Sequence, residues 1–397
     1  MKIKKLKKVW SLALAGVMAL SLGLFNADLS VQANTGDYNT PATAYVTKTL
    51  QYADKITTPN IDFKFTFTPA SYSGGTVSDV PAIPDATVSY NSNDTKPLGQ
   101  DYLTKNSVNI FDAMTTTWQA AGVYTYEVTE QYTNVTEYLA ADNGTMTFSQ
   151  AKYTLYVTVA NDSSGRGLYI SKTECKKTID DDGSAANDPK GDPAAGGLEF
   201  VNVFTKKGGI EKDADALVIT KTVSGDLGSH TKLFDFTINF NFPSTADSND
   251  EYNWVLYDAD GTTVSDYGKL AAGVTSKTFS LAHNQKFVFT DLPAGTTYEL
   301  IEAAATDYTP SFKVLENSES PVIEGTGTKS SGLSTYDSTS RYLFVGENEN
   351  TATFNNDYPD GPITGILVNN LPYILLIAAA MLGLVAFVAV KRRREMR

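Results

Sequence analysis

Between its two ends the chain consists largely of stretches in which apolar and polar residues alternate one by one. Four of these stretches are residues 63–69, 152–160, 234–242 and 286–292. A period of two is typical of a β-strand with one buried face, and the abundant Thr, Tyr, Val and Phe suit such strands. No segment between the ends has a sustained helical period, so we predict an all-β chain.

The length of this alternating region predicts two domains. About 330 of the 397 residues remain once both ends are set aside, which is two domains of ordinary size. Residues 205–216 form a polar, glycine-containing segment and are the predicted boundary. We therefore expect two tandem immunoglobulin-like β-sandwiches, one over residues 34–206 and one over residues 207–358.

Both ends of the chain carry targeting signals. Residues 1–33 combine five lysines, an apolar stretch and small residues before Ala33, which is the pattern of a secretory signal peptide. Residues 371–390 are an unbroken apolar run long enough to cross a bilayer, and a basic tail follows. We expect an exported chain that its C-terminal segment, residues 359–397, holds at the membrane.

The charge of the exported part excludes some partners. The formal net charge is −13, and each end contributes +4, so about −21 remains between Asn34 and Thr364. Such an acidic surface disfavours nucleic acid and anionic lipid. The single Cys175 cannot form an internal disulfide, so the exported domains need another means of stabilisation.

Nothing in the sequence predicts a metal or a cofactor. The acidic segment of residues 178–197 lacks the spacing of a calcium loop, and we expect a solvated loop there. Residues 258–261, with the sequence Asp-Ala-Asp-Gly, are expected to form a hairpin turn. His230 and His283 have neither a metal-ligand spacing nor a nucleophile motif nearby, and we expect both at the surface.

The same three polar residues recur in both predicted domains. Each set has a lysine that ends an opening apolar strand, a glutamate that closes a second strand, and an asparagine that follows a phenylalanine in a late strand. The two sets are Lys48, Glu130, Asn202 and Lys221, Glu302, Asn356. Alternation along each strand puts all six side chains on apolar faces. Burying them singly would cost several kcal/mol each, so we expect the members of a set to contact one another.

A lysine, a glutamate and an asparagine in a dry core can react. Desolvation lowers the pKa of the amine and raises that of the carboxyl. The neutral amine can then attack the carboxamide carbon while the protonated glutamate polarises the oxygen and carries protons. Ammonia leaves and a lysine–asparagine isopeptide bond remains. Each domain would react once, on itself, so no enzyme is predicted. Polar groups at the edge of a sheet or buried salt bridges are the alternative. Asn355 could replace Asn356, although the F-x-N spacing, with the asparagine two residues after a phenylalanine, favours Asn356.

The C-terminal end contains a short motif, Gly361-Pro362-Ile363-Thr364-Gly365. With the apolar span and the basic tail it resembles the sorting signal of Gram-positive surface proteins, which a sortase cuts between threonine and glycine. The usual signal begins with leucine, and Gly361 stands in that place here. A plain membrane anchor behind a Pro/Gly linker is the alternative.

The motifs taken in order resemble those of one family. The matching segments are residues 46–48, 122–131, 200–202, 219–225, 292–302 and 354–356. With both ends, they resemble the streptococcal-type backbone pilins, whose two Cna B-type domains each carry a lysine–asparagine isopeptide bond beside a glutamate. The resemblance implies a pilus shaft subunit of a Gram-positive cell.

The resemblance also implies partners. A class C sortase would join Thr364 to a lysine of the next identical subunit, and a housekeeping sortase would attach the fibre to peptidoglycan. Lys172 is the positional match for the acceptor, and the surface lysines Lys176, Lys177 and Lys190 are its rivals. Minor pilins and a host surface ligand are further partners. A wall-anchored adhesin or minor pilin is the alternative function, and a secreted enzyme is a third hypothesis.

Overall fold

The structure is a computed structural model, and it describes residues 33–97, 99–131, 144–209, 215–359 and 365–395. The described chain is mostly strands, which form four sheets and pack as two sandwich-like domains. The predicted all-β class with tandem sandwiches is thereby confirmed. The predicted signal peptide lies outside the described residues, except for Ala33.

Ten strands of the described chain form the N-terminal domain. They are β1 Asn34–Thr35, β2 Thr47–Tyr52, β3 Ile61–Tyr72, β4 Ala86–Tyr90, β5 Tyr102–Asn106, β6 Gly122–Gln131, β7 Gly144–Thr147, β8 Lys152–Asn161, β9 Leu168–Ile179 and β10 Glu199–Lys206. One sheet has the order β1-β9-β8-β6-β3-β4, and the facing sheet has the order β5-β2-β10-β7.

Twelve strands and one short helix of the described chain form the C-terminal domain. The strands are β11 Leu217–Ser224, β12 Phe234–Asn241, β13 Tyr252–Tyr257, β14 Val264–Leu270, β15 Ser276–Leu281, β16 Lys286–Phe289, β17 Thr297–Glu302, β18 Thr309–Leu315, β19 Ile323–Thr326, β20 Leu333–Ser334, β21 Leu343–Phe344 and β22 Thr351–Asp357, and the helix is α1 Thr335–Thr339. One sheet has the order β14-β13-β16-β11-β22-β18-β19 and the other β15-β12-β17-β20, with β21 beside β17.

The alternation seen in the sequence becomes the two faces of these strands. In β6 every second residue from Tyr124 to Glu130 is buried, and Glu127 is exposed between them. In β12 the inward residues are aromatic or aliphatic and the outward residues are polar. Because the inward rows of facing sheets pack together, each domain has its own apolar core.

In each domain an early strand and the last strand pair in parallel at the centre of a sheet. β2 pairs with β10, and β11 pairs with β22. The sequence pattern placed Lys48 at the end of its strand, which is wrong. Lys48 is the second residue of β2, because the backbone ladder with β10 runs from Thr47 to Tyr52.

The two domains contact each other through side chains near their junction. Glu347 accepts hydrogen bonds from the backbone N–H and hydroxyl of Thr57, at 3.1 and 2.6 Å, and lies 3.2 Å from Lys206 Nζ. Ala294 packs into the core of the N-terminal domain. The C-terminal end of β10, which contains Lys206, therefore faces the second domain.

A long helix, α2 Gly365–Glu395, ends the described chain. Its segment Tyr373–Arg394 is long and apolar enough to cross a membrane, which agrees with the span predicted from the sequence. Of the predicted sorting motif, Gly365 begins this helix, and Gly361, Pro362, Ile363 and Thr364 lie outside the described residues.

Candidate functional site

The first set of polar residues meets in the core of the N-terminal domain. Lys48 Nζ lies 2.8 Å from Glu130 Oε2, and Asn202 Nδ2 donates a hydrogen bond of 2.6 Å to Glu130 Oε1. Lys48 and Asn202 are fully buried, and Glu130 is 5% exposed. The carboxylate therefore lies between the amine and the carboxamide, shielded from water.

The second set brings the same three residue types together in the C-terminal domain, but there the amine and the carboxamide contact one carboxylate oxygen. Lys221 Nζ lies 2.9 Å from Glu302 Oε1 as an ion pair, and Asn356 Nδ2 donates a hydrogen bond of 2.8 Å to the same oxygen. All three residues are buried. Among the described residues, Glu302 Oε2 and Asn356 Oδ1 have no hydrogen-bond partner.

Strand register explains why the two sets look alike. In the parallel pair of β2 and β10, Lys48 is opposite Phe200, so Asn202 lies two positions further along the neighbouring strand. In β11 and β22, Lys221 is opposite Phe354, and Asn356 is again two positions on. Side chains two apart share a face. Each lysine and asparagine thus point to the same core from adjacent strands.

The glutamate of each set comes from the facing sheet. Glu130 lies near the end of β6, and Glu302 is the last residue of β17. Both project across the sandwich towards the lysine strand. A set therefore consists of two residues of one sheet and one residue of the other, and it cannot assemble until the sandwich has closed.

The structure distinguishes the two candidate asparagines of the second domain. Asn356 is buried and contacts Glu302. Asn355 points to the opposite face, where its side chain bonds to Ser224 Oγ and Thr222 Oγ1, both at 3.0 Å. Alternation along β22 thus puts only Asn356 in the core, on the side that the F-x-N spacing favoured.

Aromatic rings surround both amines. Lys48 Nζ lies 4.6 Å from the centre of the Phe63 ring, and Lys221 Nζ lies 4.5 Å from that of Phe234. Burial among such groups lowers the pKa of Lys48 and of Lys221 to about 8, against the attraction of the adjacent glutamate. Burial also raises the pKa of Glu130 and of Glu302. Both shifts favour the neutral amine and the neutral acid.

The glutamate contacts differ from the expected chemistry in one respect. We expected the glutamate to polarise the asparagine oxygen, but Glu130 contacts the two nitrogens, Lys48 Nζ and Asn202 Nδ2. The backbone N–H of Ser149 donates to Asn202 Oδ1 at 2.7 Å instead. In this domain the carboxylate is placed to move a proton from the attacking nitrogen to the leaving nitrogen.

Sequence reasoning missed the residues that support this oxygen contact. The segment 178–197 was predicted to be a solvated loop, and this prediction is wrong for the first residues of the segment. Asp181 is largely buried and accepts hydrogen bonds from Ser149 Oγ at 2.6 Å and from the Val201 N–H at 2.8 Å. Its partners lie 32 and 20 positions away, so no local sequence pattern could have identified it.

The candidate acceptor lysines lie on or near β9, in different environments. Lys172 and Lys190 have 40% and 43% of their side-chain surface exposed, and both pair with Glu174, at 3.0 and 3.2 Å. Lys176 is partly buried. The prediction that Lys177 is a surface lysine is wrong, because it is buried and lies 2.8 Å from Asp181 Oδ2.

Within the described residues, the other polar residues singled out in the sequence form no further reactive or metal-binding site. His230 and His283 stack at 3.9 Å, and His283 Nδ1 accepts the Val223 N–H at 2.9 Å. Asp258 to Gly261 form the predicted turn between β13 and β14. Cys175 is buried, which raises the pKa of its thiol to about 12. The described residues contain no cluster of three or more metal-ligand side chains.

Two family models match the chain, one over each domain. Residues 44–205 match the Spy0128-like isopeptide containing domain, and residues 215–358 match a domain of unknown function (DUF7601). No curated protein sequence matches the chain.

Several solved structures are similar to the chain. The major pilin from Streptococcus pyogenes is 20% identical, with a TM-score of 0.33, and the match covers 80% of this chain and 99% of that one. The major pilin T-13 of the same species is 20% identical, with a TM-score of 0.33 and coverage of 83% and 100%. A pilus-presented adhesin is 16% identical, with a TM-score of 0.24 and coverage of 52% and 36%.

Proposed function

We propose that the chain is a structural subunit of a Gram-positive pilus and that each domain closes one lysine–asparagine isopeptide bond on itself. The match of residues 44–205 to the Spy0128-like isopeptide containing domain supports this proposal. The bonds join Lys48 to Asn202 and Lys221 to Asn356. The observation that carries this proposal is the buried lysine–glutamate–asparagine set, found with the same register in both domains.

The reaction needs no outside reagent. The neutral lysine Nζ attacks the asparagine Cγ, and a bond forms between these two atoms. The protonated glutamate gives its proton to Nδ2 and takes one from Nζ in return, and the Cγ–Nδ2 bond breaks to release ammonia. Holding the two groups on adjacent strands supplies the proximity that an amidation requires. One bond forms per domain, without turnover.

The intact mass of an exported fragment, residues 34–364, tests the internal bonds. We expect a mass below that of the plain sequence by two ammonia molecules. Glu130→Ala and Glu302→Ala should each restore one, because the proton carrier of that domain is lost. Glu127→Ala is the matched control, since this residue lies on the outer face of the same strand. A mass equal to that of the plain sequence would exclude the bonds.

We further propose that the subunits are joined covalently. A class C sortase would cut after Thr364 and link its carboxyl to Lys172 of the next subunit, and a housekeeping sortase would transfer the fibre to peptidoglycan. The position of Lys172 supports this assignment. It pairs with Thr35 at the N-terminal edge of the first domain, away from the junction with the second domain. Head-to-tail linkage would then place the domains in series.

Polymer formation in cells that express the pilus sortase tests the shaft role. Wild-type chains should give detergent-resistant ladders, and Lys172→Arg should abolish them, because a guanidinium cannot replace the amine nucleophile. Lys190→Arg, with a similarly exposed side chain, is the control. Ladders that persist in Lys172→Arg but not in Lys190→Arg would reassign the acceptor. Wall-attached monomers without ladders would favour the adhesin or minor pilin.

A further inference from the structure

We propose that the backbone N–H of Ser149 stabilises the oxyanion that forms when the first isopeptide bond closes, and that Asp181 is the positioning residue for this donor. The inference rests on the proposed isopeptide chemistry. It adds a third component to the first site, beyond the lysine, glutamate and asparagine.

The contact itself fixes the orientation of the reacting carboxamide. A backbone N–H can only donate, so the group that faces Ser149 N at 2.7 Å must be the oxygen of Asn202. The amide nitrogen then faces Glu130, to which it donates at 2.6 Å. Asn202 is fully buried and cannot turn to solvent. The leaving nitrogen is therefore directed to the proton carrier before the reaction begins.

The same contact acts when the reaction proceeds. As Lys48 Nζ bonds to Asn202 Cγ, the carbonyl electrons move to Oδ1, which becomes negative. An aligned N–H in a water-excluded site stabilises such an oxyanion far more than it would in water. Glu130 carries the proton from Nζ to Nδ2, ammonia departs, and the carbonyl re-forms. Ser149 gives up no proton and loses no bond in these steps.

Asp181 holds the donor in place. Its Oδ1 accepts hydrogen bonds from the hydroxyl of Ser149 and from the N–H of Val201, next to the reacting asparagine. Its Oδ2 lies 2.8 Å from Lys177 Nζ, a buried cation that compensates its charge. The Asp181 backbone carbonyl also accepts the N–H of Gln150, at 3.0 Å. One buried carboxylate thus ties the Ser149 segment to β10.

The second domain provides an internal reference. Among the described residues, Asn356 Oδ1 has no hydrogen-bond donor, although Asn356 and Glu302 contact each other as in the first domain. Changes at Ser149 or Asp181 should therefore slow the first bond and leave the second unchanged. Both bonds can be followed in the same molecules.

The test removes the N–H alone. The full-length chain is made by cell-free translation with detergent micelles, and Ser149 is replaced by its α-hydroxy acid, which exchanges the N–H for an ester oxygen. Samples are quenched in denaturant, and the two cross-linked peptides are quantified by mass spectrometry. Losing one oxyanion donor should slow the first bond about 100-fold relative to the second. The same exchange at Ile110 is the control, because this buried residue of the same domain donates its N–H to the Ala44 carbonyl at 3.0 Å and not to Asn202 or Asp181.

Asp181→Asn keeps the size of the side chain but removes its charge, and it should also slow the first bond relative to the second. The ratio of the two rates should not change with the ester at Ile110. An unchanged ratio with the ester at Ser149, or equal slowing by both esters, would overturn the proposal while leaving the isopeptide bonds in place. Wild-type chains without either cross-linked peptide would overturn the isopeptide chemistry itself, and this inference with it.

Discussion

At the residue scale, the two sites are defined by buried polar groups whose pKa values burial has shifted towards the neutral forms. In most β-sandwich domains a lysine lies at the surface as a cation. Here Lys48 and Lys221 are each buried, with an aromatic ring and a glutamate beside the amine. Removing charges from water costs several kcal/mol per group, which a single ion pair offsets only in part. Conversion to a neutral amide removes both the charge of the lysine and the need to solvate it.

The pKa shifts predict an unusual pH dependence for bond closure. Burial lowers the pKa of Lys48 to about 8 and raises that of Glu130, so amine and acid share one proton at neutral pH. The rate should fall in acid, where the amine gains a proton, and also above about pH 8, where the pair loses the proton that must reach the leaving nitrogen.

This dependence can be measured with unreacted chains. The exported fragment is collected in denaturant, diluted into buffers of different pH, and its loss of ammonia is followed by mass spectrometry. Folding at each pH is followed separately by fluorescence. A rate that kept rising to the ordinary lysine pKa of about 10.4 would show that only the amine matters.

At the scale of elements, the parallel pairs β2–β10 and β11–β22 determine which parts of the chain the proposed isopeptide bonds would join. Each pair joins an early strand of a domain to its last strand, so the ends of the domain lie side by side at the centre of a sheet. Lys48 and Asn202 are 154 positions apart in the chain, and Lys221 and Asn356 are 135 apart. A cross-link over such distances constrains the unfolded chain, as a disulfide would.

Loss of the second bond should therefore destabilise the C-terminal domain. Asn356→Ala removes the carbon that the lysine attacks and should lower the free energy of unfolding by about 5 kcal/mol. The midpoint of thermal unfolding should fall by on the order of 15 °C. Calorimetry of the exported fragment measures both. Asn355→Ala is the control, since this neighbour faces the other side of β22 and takes no part in the bond. Equal midpoints for the two variants would contradict a cross-link at Asn356.

At the scale of the whole molecule, the two proposed bonds would lie in series along one load path. A force applied at the two ends enters the first domain through β2 and leaves it through β10, and then enters β11 and leaves through β22. The proposed bonds would connect these strands directly, so the residues between them would bear little of the force. The contacts of Glu347 with Thr57 and Lys206 join the domains at the point where the path crosses between them.

Single-molecule pulling tests this path. A fragment tethered near Asn34 and Thr364 should extend without unfolding either sandwich. In Asn202→Ala the first domain should unfold and release roughly 500 Å, since 154 positions become extensible at about 3.3 Å each. The second domain of that variant, still cross-linked, is the internal control. Release of both domains in the wild type would contradict the proposed bonds.

Much of the fold could be predicted from the sequence because it depends on local patterns of apolar and polar residues. Alternation along each strand indicated the all-β class, and it put Glu130 and Asn356 on inward faces, where the structure has them. Strand limits were less predictable. Lys48 lies near the start of β2, because pairing with β10 and not local composition decides where that strand begins. Lys177 was expected at the surface, but it pairs with Asp181, four positions on, and Asp181 is itself held in the interior by Ser149 and Val201, 32 and 20 positions away.

The sequence by itself determined the two-sandwich architecture, the apolar C-terminal span and the members of both lysine, glutamate and asparagine sets except for the choice between Asn355 and Asn356, since each follows from side-chain type and a period of two. Only the tertiary structure decided that lysine and asparagine strands are parallel neighbours, that each glutamate comes from the facing sheet, and that Ser149 donates to Asn202. These contacts join residues 53 to 154 positions apart. The physical reason is that strand pairing and sheet packing bring together groups whose separation along the chain leaves no local signal.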